Sequence, residues 1–173
     1  MMFKIKLVIL FISMLSATVY ADIQVSFKDG APKDKFVIEN TSTCAVKDIS
    51  MTIDLLQSTG RLIFDTSESG KGVEVFQLFE VTRGQIALKT DTQVNDGATQ
   101  LSLDITTIAA NDFASFTIDV DDTLTTSELG NIRVTGNEIA NASVLIKING
   151  DEIVKAAFDL DGKALVIMPI CSA

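Results

Sequence analysis

The sequence has no histidine and no tryptophan, and it has only one tyrosine and two cysteines among its 173 residues. Histidine is a common general base and a frequent ligand of transition metals, so sites of either kind would need other residues here. Tryptophan and tyrosine rings are favoured where a protein stacks on a sugar. The sequence also contains no G-x-S-x-G motif and no complete phosphate-binding loop. These absences predict a protein without enzymatic activity.

Acidic residues outnumber basic residues by 23 to 14, which gives a net charge of −9. A charge of this sign repels nucleic acid and anionic lipid, so neither is an expected partner. The same charge leaves carboxylates available to divalent cations.

The N-terminal segment has the pattern of a secretory signal peptide. Two lysines precede an apolar run over residues 7–15, and Val19 and Ala21 have the spacing of a cleavage site. The apolar run is shorter than a membrane-spanning helix needs. We therefore expect residues 1–21 to be removed and residues 22–173 to form a single domain. This mature domain would be secreted, either outside the cell or into the periplasm, without membrane insertion.

The two cysteines are Cys44 and Cys171. In an exported protein, two cysteines most simply form one disulfide, and two buried free thiols are the alternative. Such a disulfide would close a loop of nearly the whole domain, which would stabilise the fold by up to about 5 kcal/mol.

Apolar and polar residues alternate in many short segments after residue 21, which is typical of strands with one face in a core. Asn149-Gly150 lies between two such segments and is a strong hairpin signal. No segment has a convincing helical period, and residues 131–139 also read as β-rich. The pattern predicts an all-β fold, a single antiparallel β-sandwich that is either immunoglobulin-like or a jelly roll. The clearest alternating runs are residues 23–27, 49–55, 101–105, 113–120 and 144–148.

The run from Phe113 to Asp122 is the most regular of these strands and ends in acids. Its alternation predicts an apolar face in the core and a polar face in water. The residues expected in the core are Phe116, Ile118 and Val120. The residues expected in water are Ser115, Thr117, Asp119 and Asp121.

The acids of this strand suggest a calcium site. Asp119 and Asp121 are two residues apart, so their carboxylates share a face, and Asp122 follows where the strand ends. Calcium prefers six to eight oxygen ligands, and many of them are carboxylates. We expect Asp119, Asp121 and Asp122 to bind Ca²⁺, with Asp104 and Glu138 as outside candidates. No EF-hand spacing fits, and the alternative is that outward acids keep the strands soluble and block edge pairing.

Three strands also share a local pattern in which an aspartate follows an inward apolar residue. These aspartates are Asp54, Asp104 and Asp119. If the three strands were neighbours, the acids would converge into a repulsive cluster that a cation would relieve.

Two segments resemble bacterial immunoglobulin-like adhesin repeats. Residues 38–42, running into residues 46–49, resemble the opening of such a repeat, and residues 108–116 resemble the beginning of a later strand in it. The repeats usually carry Gly-Glu or Gly-Gln where this chain has Asn111-Asp112.

A longer resemblance covers most of the chain after residue 21. It is to small exported bacterial proteins described as similar to the core protein of the sponge aggregation factor. It implies an extracellular β-domain that takes part in calcium-dependent adhesion or self-association. This chain has Leu78 where the pattern has proline. The segments that carry the resemblance are residues 63–65, 72–77, 116–124 and 138–144.

Together these observations predict a secreted, non-enzymatic adhesion or extracellular-matrix module. Its partner would be an extracellular protein, a glycan or a second copy of itself. The main alternative is a carbohydrate-binding module, which could recognise sugar hydroxyls through a bound cation. A glycan-active enzyme using paired carboxylates is a further alternative, which the lack of aromatic platforms disfavours.

Overall fold

In a computed structural model, which describes residues 21–30, 33–68, 76–89, 94–124, 134–148 and 152–168, the chain forms two antiparallel β-sheets packed against each other. This confirms the prediction of an all-β sandwich. The strands of the described residues are β1 (Ala21–Lys28), β2 (Asp34–Asn40), β3 (Val46–Asp54), β4 (Ile63–Asp65), β5 (Glu80–Arg83), β6 (Ile86–Leu88), β7 (Gln100–Ile108), β8 (Phe113–Asp121), β9 (Ser143–Ile148), β10 (Glu152–Ala157) and β11 (Lys163–Met168).

The first sheet has the strand order β11-β1-β2-β8-β4, and β5 also pairs with β8. The second sheet has the order β10-β9-β3-β7-β6. Most strands alternate in burial along their length, because each sheet packs one face against the other sheet. The alternation in the sequence therefore predicted most strands and their inward residues correctly.

Aromatic packing lies at the centre of the core on the first sheet. The rings of Phe36 on β2 and Phe116 on β8 stack with centroids 5.1 Å apart. Phe27 and Phe79 extend this group, at 5.2 Å from Phe36 and 5.1 Å from Phe116 respectively. Because Phe36 and Phe116 are fully buried, these contacts anchor β8 in the middle of its sheet.

The prediction that β8 has one face in water is wrong. Its outward residues are buried as well as its core residues, and among the nine residues of the strand only Phe113 is partly exposed. One edge of β8 pairs with β2, and the other edge pairs with both β4 and β5. The alternation shows which side chains share a face, but it does not show whether that face is covered.

The segment predicted to be β-rich before residue 139 contains a helical turn, α1 (Gly136–Ile139). The carboxylate of Glu138 accepts hydrogen bonds from the backbone N–H of Thr135 (2.7 Å) and from its hydroxyl (3.0 Å). A threonine followed three residues later by a glutamate is a signature of a helix start. This local signal was present in the sequence, and the apolar residues around it obscured it.

Asn40 ties two loops together at the end of β2. Its side chain is fully buried, and its Nδ2 donates to the carbonyl oxygens of Cys44 (2.7 Å), Ile108 (3.1 Å) and Ala109 (3.0 Å). Its Oδ1 accepts hydrogen bonds from the N–H and the hydroxyl of Ser42. A buried amide that makes five hydrogen bonds is a structural group of the fold.

Two predictions fall on residues that the structure does not describe. Cys171 lies outside the described residues, so the predicted Cys44–Cys171 disulfide stays a prediction. Residues 1–20 also lie outside them, and the predicted signal peptide stays a prediction. No helix within the described part of the chain is long and apolar enough to cross a membrane.

Candidate metal centre

The pairing of β4 with β8 brings three aspartates to one face of the first sheet. Asp65 lies directly opposite Asp119, and Ile63 lies opposite Asp121. Directly opposite residues of an antiparallel pair project to the same face, and so do residues two apart on one strand. The side chains of Asp65, Asp119 and Asp121 therefore share one face, and we call them the aspartate cluster.

The aspartate cluster is compact and buried. One carboxylate oxygen from each residue lies within 4.8 Å of the corresponding oxygens of the other two. The side chains of Asp65, Asp119 and Asp121 belong to residues that are 0%, 6% and 1% exposed. Neither Asp65 nor Asp119 forms an ion pair with any lysine or arginine that the structure describes. Negative charge is therefore concentrated where water solvates it poorly, which is costly without compensation.

The carboxylate of Asp65 is poorly compensated. Its Oδ1 accepts a hydrogen bond from the N–H of Ser67 at 3.3 Å. Its Oδ2 is buried and receives no hydrogen bond from an N–H or O–H group of the described residues. Burial and the neighbouring carboxyls of Asp96 and Asp121 raise the pKa of Asp65 to about 7.

The carboxylates around Asp65 are perturbed in the same direction. Burial and the charges of Asp121 and Asp65 raise the pKa of Asp119 to about 7. Asp34, on β2, accepts hydrogen bonds from the N–H groups of Gly30 (3.1 Å) and Val120 (3.0 Å). These bonds lower its pKa, but burial outweighs them, and with the charges of Asp119 and Asp121 it raises the pKa of Asp34 to about 8. A proton or a cation would relieve this accumulated charge.

The structure brings together some of the predicted site residues and not others. Asp119 and Asp121 belong to the aspartate cluster. Asp122 is buried and accepts a hydrogen bond from the N–H of Leu124 at 3.1 Å, but it is not one of the three clustered residues. The sequence pattern does not identify Asp65 as a ligand, although residues 63–65 belong to the longer resemblance. Its role depends on the β4–β8 pairing, which a three-residue strand does not reveal in sequence.

The outside candidates lie elsewhere in the fold. Asp104 is on β7 in the second sheet, where its Oδ1 accepts a hydrogen bond from Ser50 at 2.6 Å. Glu138 is in α1, where it accepts hydrogen bonds from Thr135. Neither belongs to the aspartate cluster.

Asp54, Asp104 and Asp119 do not converge, because their three strands are not all neighbours. Strands β3 and β7 are neighbours, but the register places Asp104 opposite Ser50 and Asp54 opposite Gln100. Asp119 is on β8, in the other sheet. The shared local pattern indicates only that each aspartate and the apolar residue before it project from opposite faces of their strand.

The aspartate cluster fits a hard divalent cation such as Ca²⁺. Calcium binds oxygen ligands at about 2.4 Å, so two ligands of one ion lie at most about 4.8 Å apart. The clustered oxygens meet this limit. Three carboxylates without histidine or thiolate are typical of calcium, magnesium or manganese sites rather than of zinc sites.

The chain matches no protein-family model and no curated protein in the comparisons with known proteins. The functional argument therefore depends on the geometry of the site and on the resemblances of particular segments.

Proposed function

We propose that this protein is an exported, non-enzymatic β-sandwich that binds Ca²⁺ through Asp65, Asp119 and Asp121 and acts as an adhesion or extracellular-matrix module. Its partner would be a second copy, another extracellular protein or a glycan. The observation that carries the metal site is the buried Oδ2 of Asp65, which lacks a hydrogen-bond donor among the described residues and lies in a compact group of carboxylates.

Burial separates this proposal from the alternative that the acids keep strands soluble. A solubilising carboxylate has to contact water, whereas none of the three aspartates is more than 6% exposed. A buried carboxylate persists when something compensates its charge, and with pKa values near 7 the protonation of Asp65 and Asp119 is only partial at neutral pH. Calcium suits the site better than magnesium, because calcium accepts several carboxylates in irregular geometry whereas magnesium prefers to keep its water ligands.

The adhesion role is supported by the resemblance to aggregation-factor-like proteins and to adhesin repeats, and by the acidic composition. In such a module the cation would hold β4 against β8 and so stiffen one edge of the sandwich. The burial of the aspartate cluster counts against a carbohydrate-binding module in which the same cation coordinates sugar hydroxyls, because a sugar could not reach it without local opening.

Thermal melting with and without calcium tests the metal site. Circular dichroism would follow unfolding in EDTA, in millimolar Ca²⁺ and in equal Mg²⁺. A ligand at roughly 100 times its dissociation constant stabilises the folded state by about 2.7 kcal/mol, which for a domain of this size corresponds to about 5–10 °C. We expect this rise in Tm with Ca²⁺ and a smaller one with Mg²⁺.

Matched aspartate variants assign the shift to the cluster. Asp65→Asn and Asp119→Asn should each abolish most of the Ca²⁺-dependent rise, because each removes one charged ligand. In EDTA both variants should remain folded, since each also removes a poorly solvated charge. Asp104→Asn, an aspartate of the second sheet, is the control and should keep the full rise. An undiminished rise in Asp65→Asn and Asp119→Asn would refute the site.

A further inference from the structure

Among the strands that the structure describes, β11 is an edge strand of the first sheet. It pairs with β1 on one side, and no other described strand pairs with it. The N–H of Phe27 donates to the carbonyl of Gly162 at 2.8 Å, which makes Phe27 and Gly162 a hydrogen-bonded pair. In an antiparallel ladder such pairs alternate with pairs whose backbone groups point away from each other.

This alternation identifies the backbone groups that face the open edge. In the β1–β11 register, the backbone N–H and C=O groups of Ile23 and Val25 also point towards β11. These two residues lie opposite Val166 and Ala164, respectively. The backbone N–H and C=O groups of the intervening residues, Leu165 and Ile167, therefore point away from β1. The other side of β1 agrees, because the N–H of Thr41, next to β2, donates to the carbonyl of Asp22 at 3.0 Å.

The open edge of β11 is also apolar. The side chains of Leu165 and Ile167 project outward and are 52% and 57% exposed. Residues 164–168 contain no charge and no proline, and the β1–β11 register has no bulge. Natural sheets usually protect their edges with charges, proline, bulges or very short strands.

The other outer strands carry such protection. Strand β10 has Lys155 near its middle, and β5 has Glu80 and Arg83. Strands β4 and β6 are only three residues long. Among the described outer strands, β11 is the one that combines length, exposed apolar side chains and an uncharged centre.

We infer that β11 pairs with β11 of a second copy of this chain, in an antiparallel arrangement with a two-fold axis at Val166. This register places Leu165 opposite Ile167 of the second copy, and Ile167 opposite its Leu165. Both edge-facing residues then gain backbone hydrogen bonds, and their exposed side chains cover each other on one face.

The self-complementary register favours a second copy as the occupant, because the two edge-facing apolar residues of one β11 are matched by the same two residues of the other. Lys163 already bonds within its own chain, because its N–H donates to Oδ1 of Asp159 and its carbonyl accepts from the N–H of Asp159. Pairing would thus be confined to Leu165 and Ile167. Two chains of net charge −9 repel each other over most of their surfaces, and β11 has no acidic residue. The β11 edge therefore adds no negative charge to this repulsion.

This inference names a surface for the self-association that the proposed function includes, and it rests on that proposal for its biological role. Its geometry does not depend on the metal site. The aspartate cluster lies on β4 and β8, at the opposite end of the strand order from β11. An edge contact of two residues from each chain is small, so we expect a weak dimer with a dissociation constant roughly in the micromolar to millimolar range.

Sedimentation velocity over a wide range of protein concentration tests the pairing, in EDTA and in Ca²⁺. We expect a reversible monomer–dimer equilibrium in both. Leu165→Lys and Ile167→Glu should each shift the dissociation constant at least about tenfold towards monomer, because a charge then opposes an apolar side chain. Leu160→Lys is the matched control, since Leu160 is 70% exposed and lies before β11, and it should dimerise as the unaltered chain does.

The double variant Leu165→Lys/Ile167→Glu tests the register. Each new lysine then lies opposite a new glutamate of the other copy, so dimerisation should return. The proposal is overturned by a chain that stays monomeric at all concentrations, by a dimer that neither single variant weakens, or by a double variant that stays as weak as the single ones. Circular dichroism and Tm would verify that each variant is folded.

The metal site and the edge pairing can be refuted independently of each other. Leu165→Lys should keep the full Ca²⁺-dependent rise in Tm, whereas Asp119→Asn should keep the dimer. A dimer without any Ca²⁺ effect on Tm would remove the metal site and leave the edge pairing intact, and the reverse result would remove the pairing alone.

Discussion

At the residue scale, two neighbouring hydroxyls on β8 have different surroundings. The hydroxyl of Ser115 lies 2.7 Å from that of Thr82 on β5, so the two share a hydrogen bond. The hydroxyl of Thr117 is buried and has no hydrogen-bond partner among the described residues. A buried polar group without a partner opposes folding, whereas a paired one contributes modestly to stability.

We therefore expect Thr117→Val to raise the free energy of unfolding by about 1 kcal/mol, because valine has nearly the same shape and no hydroxyl to bury. Ser115→Ala should lower it by about 1 kcal/mol through loss of the bond to Thr82. Urea denaturation of both variants in EDTA measures the difference. A lower stability in Thr117→Val would mean that the hydroxyl has a partner after all.

At the scale of elements, the turn between β5 and β6 carries the chain from the first sheet to the second. Gly84 in this turn has a φ of +88°, a backbone conformation that residues with a side chain rarely adopt. A Cβ atom there would lie 2.7 Å from the Cβ of Ala114 on β8. The close approach of this turn to β8 therefore depends on a residue without a side chain.

Gly84→Ala should lower the free energy of unfolding by about 2–3 kcal/mol, because it combines an unfavourable φ with a clash against a central strand. Gly162→Ala is a suitable comparison, since its φ is also positive at +69° but its nearest contact would be 3.3 Å, to the carbonyl of Phe27. Gly162→Ala should lower the free energy of unfolding by less than Gly84→Ala does. Equal losses in the two variants, measured by urea denaturation, would show that the clash with Ala114 is relieved without cost.

At the scale of the whole molecule, the buried acids make stability depend on pH. The pKa values of Asp34, Asp65 and Asp119 in the folded protein are about 8, 7 and 7, against an ordinary value of 3.8. A raised pKa means that the folded state holds its proton more tightly than the unfolded state does. Stability from these groups is thus present below about pH 4 and is lost as the pH rises through about 7–8.

In EDTA, the free energy of unfolding should therefore fall between about pH 5 and about pH 8. Lys33 lowers the pKa of Glu80, and the N–H of Phe113 together with Arg83 lowers the pKa of Asp112. The contributions of these two acids to stability are therefore lost only at lower pH, outside this window. The double variant Asp65→Asn/Asp119→Asn should show a flatter profile, and saturating Ca²⁺ should flatten the profile of the unaltered chain. Stability that rises with pH in EDTA would contradict the raised pKa values.

The sequence alone determined the fold class, most of the strands and most of the inward residues. These follow from local rules, because the two-residue alternation of a strand and the chemistry of a turn are properties of neighbours in the chain. It also determined that Asp119 and Asp121 share a face, since residues two apart on a strand always do.

Only the tertiary structure decided what those residues meet. The pairing of β4 with β8 brings Asp65 to Asp119, and pairing between distant segments depends on the packing of the whole chain rather than on local pattern. The same packing buries the polar face of β8, which turns expected surface acids into a buried cluster, and places β11 at the edge of its sheet among the described strands. Burial and edge position are properties of the assembled sheets, because they depend on which elements lie alongside a strand. The sequence of one strand does not specify those neighbours.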